Sequence, residues 1–338
     1  MQTFTPKKRL LAVARKQEVD HPPCICPGGM MNMMFREIME KSNCLWPEAH
    51  VDSEKMAGLV YALNESGGFE NYGVPFCMTV EAEAMGARVN MGNLLCEPHV
   101  VDSPLQSSAQ VDLLQSLDIN VGRAEVVIDA IKILKAKHTD VPIIGNLTGP
   151  VSTAGTLVDM AVLLKEYRKR PTDAEKLMAF ITANLIAFGK GQIEAGADAI
   201  CISEPSGTGE ILGPRGFRDY SLRYLNRVMD ALEVPVKIVH ICGALKSIYE
   251  IIPELHCDVF SFDSMVPIEE IKKYIPEKAV MGNVNTHALG TMSAEKVASL
   301  TRNCLTKGAD LVAPACGLST TTPLINVQTM VKATQEKP

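Results

Sequence analysis

The chain has 338 residues, 46% of them hydrophobic and 21% charged, with a formal net charge of −6, a soluble globular composition with room for one large α/β domain or two ordinary ones. No basic block stands out, which argues against nucleic acid as a partner, and no apolar run approaches the roughly 20 residues of a membrane span. The N-terminal stretch "MQTFTPKKRLLAVARKQEVDHPP" lacks a signal peptide's apolar core, so a cytoplasmic location is expected, where the ten cysteines stay reduced and open to metal.

Residues 1–20 read as helical decoration, followed by a first short strand, "PCIC" (23–26). In "PGGMMNMM" (27–34), Gly28 and Gly29 allow close backbone approach, and the methionines either line an apolar ligand wall or begin a buried helix. Further helical decoration is expected within 38–70 and 100–120, on either side of a strand in "YGVPF" (72–76). "EVVIDAIKILKAKH" (125–138) has helical apolar spacing and leads into "PIIGNL" (142–147). The stretch 172–196 opens with Thr172 three residues before Glu175, a capping-box arrangement, and precedes "DAICIS" (198–203). "VKIVHI" (236–241), "DVFSF" (258–262) and "AVMGNV" (279–284) follow as strands. A helix over 293–308, from an N-cap serine to a glycine, leads to the last strand, "DLVAP" (310–314). Eight strands alternating with helices and no linker predict one (β/α)8 TIM barrel over residues 1–338 with N-terminal helical decoration. A doubly wound open sheet is the alternative that counting leaves open.

In such a barrel the chemistry sits at the C-terminal ends of the strands. "VKIVHICGAL" places His240 and Cys242 two apart at one such end, where alternation turns both to one face. Cys316, after the last strand, falls on the same rim and completes the three protein ligands common in catalytic zinc sites. Asp263 is a candidate fourth, displaceable ligand, with a loop cap as the plainer reading. Asn146 and Thr148, Glu204 and Ser206, Asn283 and Asn285 end other strands and are candidates for contacting substrate, as is Gly28. Cys24 and Cys26 read as packing; cysteines 44, 77, 96, 201, 257 and 304 as structural; His287 as either ligand-facing or surface.

The segments "KKRLLAVARKQEVDHPP", "VPFCMTVEAEAMGARV", "IGNLTGPVSTAG", "GADAICISEPSGTGEILGPRGFRDY", "VHICG", "MGNVNTHALG" and "APACGLSTTTPLINVQTMV" together resemble the uroporphyrinogen decarboxylase superfamily over nearly the whole chain. Within it the resemblance is to the zinc-dependent methylcobalamin:coenzyme M methyltransferases, whose His-x-Cys…Cys signature maps onto His240, Cys242 and Cys316. The decarboxylases carry an arginine near the first strand to grip substrate carboxylates; here that place reads "CPGGMMNMM". The resemblance thus implies Zn²⁺, a methyl-Co(III) corrinoid (methylcobalamin, or the corrinoid of a separate small protein) as methyl donor, and a thiol acceptor, coenzyme M. Another thiol, tetrahydrofolate as acceptor, or a decarboxylase activity stay open as alternatives. Arg215 and Arg218 are candidate partners for the sulfonate of coenzyme M.

Overall fold

Eight strands organise the chain: β1 (Tyr72–Val74), β2 (Arg88–Asn90), β3 (His99–Asp102), β4 (Ile143–Thr148), β5 (Ala199–Ser203), β6 (Val236–Ile241), β7 (Val259–Phe262) and β8 (Ala279–Met281). This computed structural model describes residues 4–137 and 140–336. The outermost residues of the expected 1–338 domain and His138 of the expected 125–138 helix lie outside them. Six strands form one parallel sheet in the order β1-β4-β5-β6-β7-β8. Every residue of β4, β5 and β7 is buried, as expected of parallel strands covered on both faces.

Two shorter segments close the sheet on itself. Leu311 bridges in parallel to Met281, and Val312 bridges in parallel to Cys24. The backbone N–H of Gly282 donates to Leu311 O, and that of Ile25 to Val312 O, both at 3.0 Å. At the seam between residues 24–26 and β1, Glu70 N donates to Cys24 O at 2.9 Å. The Asn71 side chain then takes the place of a backbone rung: its Oδ1 accepts from Cys26 N at 2.9 Å and its Nδ2 donates to Cys26 O at 2.8 Å. First and last segments are thus neighbours, which rules out the open doubly wound sheet and gives the (β/α)8 barrel. The expected strands "PCIC" and "DLVAP" are these two segments, and "AVMGNV" ends as a strand at Met281 and rejoins the ladder only at Val284, which bridges to Pro314.

The expected helices form at Gly122–Lys137, Pro171–Ala195 and Ala294–Thr306. Ser293 caps the last, its side chain accepting from Lys296 N. The Thr172 capping box does not form. The helix begins one residue earlier at Pro171, whose missing N–H suits a first helical position, and no side chain caps it. The decoration within 1–20 is the helix Pro6–Ala14, and that within 38–70 includes Ser53–Glu65. The 100–120 region differs from expectation. It starts in β3, paired antiparallel with β2, and its one helical stretch is a 3₁₀ segment, Ser108–Leu113. Among the described residues no helix is long and apolar enough to cross a membrane.

Candidate metal centre

His240 is the fifth residue of β6, and Cys242 follows that strand's end. The pleat turns both the same way, and His240 Nε2 lies 3.1 Å from Cys242 Sγ. Cys316 arrives from the segment beyond Pro314, its Sγ 3.5 Å from that of Cys242. Gly317 makes this approach possible, since a Cβ there would stand 2.6 Å from Met30 O. The ligand atoms of His240, Cys242 and Cys316 all lie within 4.8 Å of one another.

The donor set, one imidazole and two thiols, is that of a borderline-soft ion. Tetrahedral zinc with bonds of about 2.1 Å to nitrogen and 2.3 Å to sulfur keeps its ligand atoms roughly 3.4–3.8 Å apart. The observed 3.1 and 3.5 Å need only a few tenths of an ångström of adjustment to reach this. The two thiols lie within hydrogen-bonding distance of each other. The hydrogen bond from Cys242 holds the Cys316 thiol well below the usual range, with burial opposing and His240 assisting. Cys242, hydrogen-bonded to Cys316 and buried, is driven the other way.

Behind His240 stands Ser261 of β7, its partner in the strand register. Ser261 Oγ lies 2.9 Å from His240 Nδ1, and its hydroxyl points to Met31 Sδ at 3.9 Å. In the tautomer that carries its proton on Nδ1, the ring donates to this oxygen and presents the Nε2 lone pair to a metal. Both residues are fully buried. Ser261 had a signal in the sequence, a lone polar residue in the apolar run "DVFSF", since a buried hydroxyl asks for a partner.

Asp263 lies beside the three without joining them. Its charge raises the Cys242 thiol, while its Oδ1 accepts from Ser264 Oγ at 3.2 Å and Met265 N at 3.1 Å. The antiparallel ribbon β2–β3 reaches the same rim, where Thr320 Oγ1 donates to Leu95 O at 3.2 Å. Glu97, on the ribbon's connection, is exposed at this rim. Partial loss of water, then the Cys316 charge, pushes its carboxyl up to about 7.

The other expected site residues brace the walls. Asn146 donates through Nδ2 to Pro27 O at 2.7 Å and Val74 O at 3.0 Å, stitching the first segment to β1. Gly28, at φ +93°, packs on it, since a Cβ there would stand 3.0 Å from Asn146 Nδ2. Thr148 donates through N and Oγ1 to Glu81. Glu204 is wholly buried and accepts from Val151 N, Ser152 N, Ser152 Oγ and Gly207 N. Ser206 N donates to Ser152 Oγ at 2.9 Å. Asn283 Nδ2 donates to Asp263 O and Val266 O and so fixes the loop carrying Asp263. Asn285 caps Thr286–Thr291, and His287 is exposed. Arg215 is 97% exposed against Asp219, and Arg218 pairs with Glu254; neither reaches the rim cluster. Cys24 and Cys26 are fully buried, and burial pushes both thiols up. Met31, Met33 and Met34 are fully buried as well.

The sequence pattern described as Uroporphyrinogen decarboxylase (URO-D) matches residues 5–337. The chain is 33% identical over 336 residues to the Methylcobamide:CoM methyltransferase MtbA of Methanosarcina acetivorans, covering 98% of both chains. It is 32% identical over 345 residues to the Methylcobamide:CoM methyltransferase MtaA of Methanosarcina barkeri, covering 99% of both. A solved methyltransferase from Methanosarcina mazei superposes with a TM-score of 0.90 at 31% identity, over 98% of each chain.

Proposed function

The chain belongs to the uroporphyrinogen decarboxylase family, and from that premise we propose that it transfers a methyl group from a methyl-Co(III) corrinoid to a thiol, with coenzyme M as the acceptor. The observation that carries this reading is the convergence of His240, Cys242 and Cys316 at the C-terminal end of the barrel. Whole-length relatives that bear this activity in their names support it.

His240, Cys242 and Cys316 would hold zinc, which would supply a Lewis acid that makes a thiol in its remaining position a thiolate at neutral pH. The overall reaction converts R–SH and CH₃–Co(III) to R–S–CH₃, Co(I) and a proton. The sulfur supplies the electron pair of the new S–C bond, and the pair of the broken Co–C bond stays on cobalt. The chain's own part is placement. Ser261 would hold the His240 ring through Nδ1 so that Nε2 faces the two cysteines. Asp263 would occupy the fourth position until a thiol displaces it.

The methyl must approach within roughly 3–3.5 Å of the sulfur, so the corrinoid sits over the rim, free or carried by a separate small protein. Residues 1–338 are taken as one barrel domain, supported by a single apolar cluster running from Leu10 to Val331. Ten free cysteines are in keeping with a cytoplasmic location. A decarboxylase gripping many carboxylates is disfavoured by the first segment's turn, which presents buried methionines where it would need cations.

The test is metal analysis of the purified protein, with zinc X-ray absorption before and after coenzyme M is added. One zinc per chain gaining a sulfur neighbour at about 2.3 Å is expected. Absence of zinc, or a zinc shell indifferent to every thiol offered, overturns the reading.

A further inference from the structure

We propose that Arg123, His50 and Trp46 form a buried subsite that receives the anionic end of the thiol substrate; this rests on the methyl-transfer reading and adds the substrate's charge to it. An acceptor with a sulfonate beside its thiol needs a cation or a set of donors out of water. Arg9 cannot serve, because Glu70, with which it pairs, precedes β1 at the opposite end of the barrel. Arg215 and Arg218 are exposed. Arg123 is only 7% exposed. It lies in the first turn of the helix Gly122–Lys137, which runs back toward the start of β4, so that turn is at the catalytic end. Its anchors, Cys77 and Thr79, follow β1 at the same end.

Three of the five guanidinium N–H groups are engaged: Nε in an ion pair with the half-exposed Glu83 carboxylate, Nη1 with Cys77 Sγ at 3.2 Å, and Nη2 with Thr79 Oγ1 at 2.6 Å. Two remain. Burial, and then the charge of Arg123, pushes the His50 ring down to about 3, so it is neutral with one N–H and one lone pair. His50 is 1% exposed and Trp46 3%. Neither ring nitrogen of His50, nor Trp46 Nε1, has a hydrogen-bond partner among the described residues. Trp46 and His50 are 4.6 Å apart between ring centroids, and both pack on Phe76, just beyond β1.

Buried polar groups are nearly always paired. Here the unpaired ones gather beside a guanidinium and consist of N–H donors and a single imidazole lone pair. A small oxyanion such as a sulfonate meets those donors together; a neutral alkyl or hydroxyl tail does not. The preference arises from desolvated charge, so it appears in the affinity for the thiol and not in the rate of transfer from the bound state.

The test uses zinc-loaded full-length protein with methylcobalamin as donor and two acceptors, 2-mercaptoethanesulfonate and 2-mercaptoethanol. Arg123→Gln should raise KM for the sulfonate about tenfold or more with kcat little changed, and leave both constants for 2-mercaptoethanol near wild type. Trp46→Phe, which keeps an aromatic ring and loses one N–H, should move the same constant the same way by less. Ethanesulfonate should compete with the anionic thiol in the wild type and lose that ability in Arg123→Gln. The proposal is overturned if both thiols weaken in proportion or if the sulfonate preference survives both variants. Should Arg123→Gln fail to fold, Trp46→Phe with ethanesulfonate competition decides. If the wild type methylates no thiol, the methyl-transfer reading is what has failed, and calorimetric binding of ethanesulfonate to wild type and Trp46→Phe still decides the subsite.

Discussion

Replacing Ser261 by alanine should weaken zinc binding by 10- to 100-fold while leaving the metal-free fold nearly as stable as before. Ser261 Oγ lies 2.9 Å from His240 Nδ1, placed to accept the Nδ1–H of the metal-binding tautomer, and both side chains are fully buried. Stranding a buried donor costs about 1–3 kcal/mol, and every 1.4 kcal/mol is a factor of ten in an equilibrium constant. That matches the loss usual when a partner behind a metal-bound histidine is removed. The two states of the protein bear this cost unequally. Without metal, the ring can shift its proton to Nε2 and donate to Cys242 Sγ, 3.1 Å away. With metal, Nε2 is the ligand and the proton must stay on the stranded Nδ1. The loss therefore appears as affinity. It is read by competition against a chromophoric zinc chelator, alongside denaturant unfolding of the metal-free protein, with Ser261→Thr as the control that keeps the hydroxyl. Zinc affinity within twofold of wild type, or a drop in metal-free stability with affinity intact, would refute the reasoning.

Cys242→Ser should bring zinc content after dialysis close to zero and abolish methyl transfer, with circular dichroism unchanged; a variant that unfolds instead would mark the metal as structural. Asp263→Ala should retain zinc, because the other three ligands remain, and exchange a water for the lost carboxylate in the absorption spectrum; loss of the metal would make Asp263 a permanent ligand. Glu204→Ala strands the four donors that converge on that carboxylate and should destabilise the fold by about 3 kcal/mol or more by urea unfolding. Unchanged stability with lost activity would return Glu204 to the substrate. His50 has a lower pKa folded, about 3, than unfolded, about 6.5. The unfolded chain thus binds the extra proton below pH 6.5, and this group removes up to about 1.4 kcal/mol of stability per pH unit from there down to pH 3. The stability profile of His50→Phe should be flatter over that window; parallel profiles would place His50 in a wetter setting.

What could be read from the sequence depended on whether a residue acts through its own strand or through a distant one. The barrel was legible because fully buried parallel strands such as "DAICIS" are continuous apolar runs. His240 and Cys242 were legible because a two-residue spacing at a strand end has one geometric outcome, and Cys316 because every strand ends on one rim. Closure was not. Asn71, acting as a rung, looks like any asparagine in a loop. Glu204 reads in the sequence as a strand-end candidate for contacting substrate, and nothing in its own segment shows that its carboxylate is held by donors more than fifty residues upstream. Arg123, His50 and Trp46 come together from segments that neither strand periodicity nor spacing connects. The ribbon β2–β3 was missed because its strands are three and four residues long, too short for alternation to register.

The barrel is not knit equally all the way round. β4, β5 and β6 share ladders of five rungs, whereas the last segment is joined outside any regular ladder, by isolated bridges and backbone hydrogen bonds, and the seam at Asn71 partly by a side chain. Cys242 leaves the regular ladder and Cys316 the segment that closes the barrel, 74 residues further along the chain. An ion shared between them therefore acts as a clasp between that ladder and the closing segment. Proteins open locally in units of unequal stability. Amide exchange around Leu311–Ala315 and Cys24–Cys26 should accordingly slow on zinc loading far more than exchange in β4 or β5, coupling the centre that handles the methyl group to the integrity of the barrel's own closure.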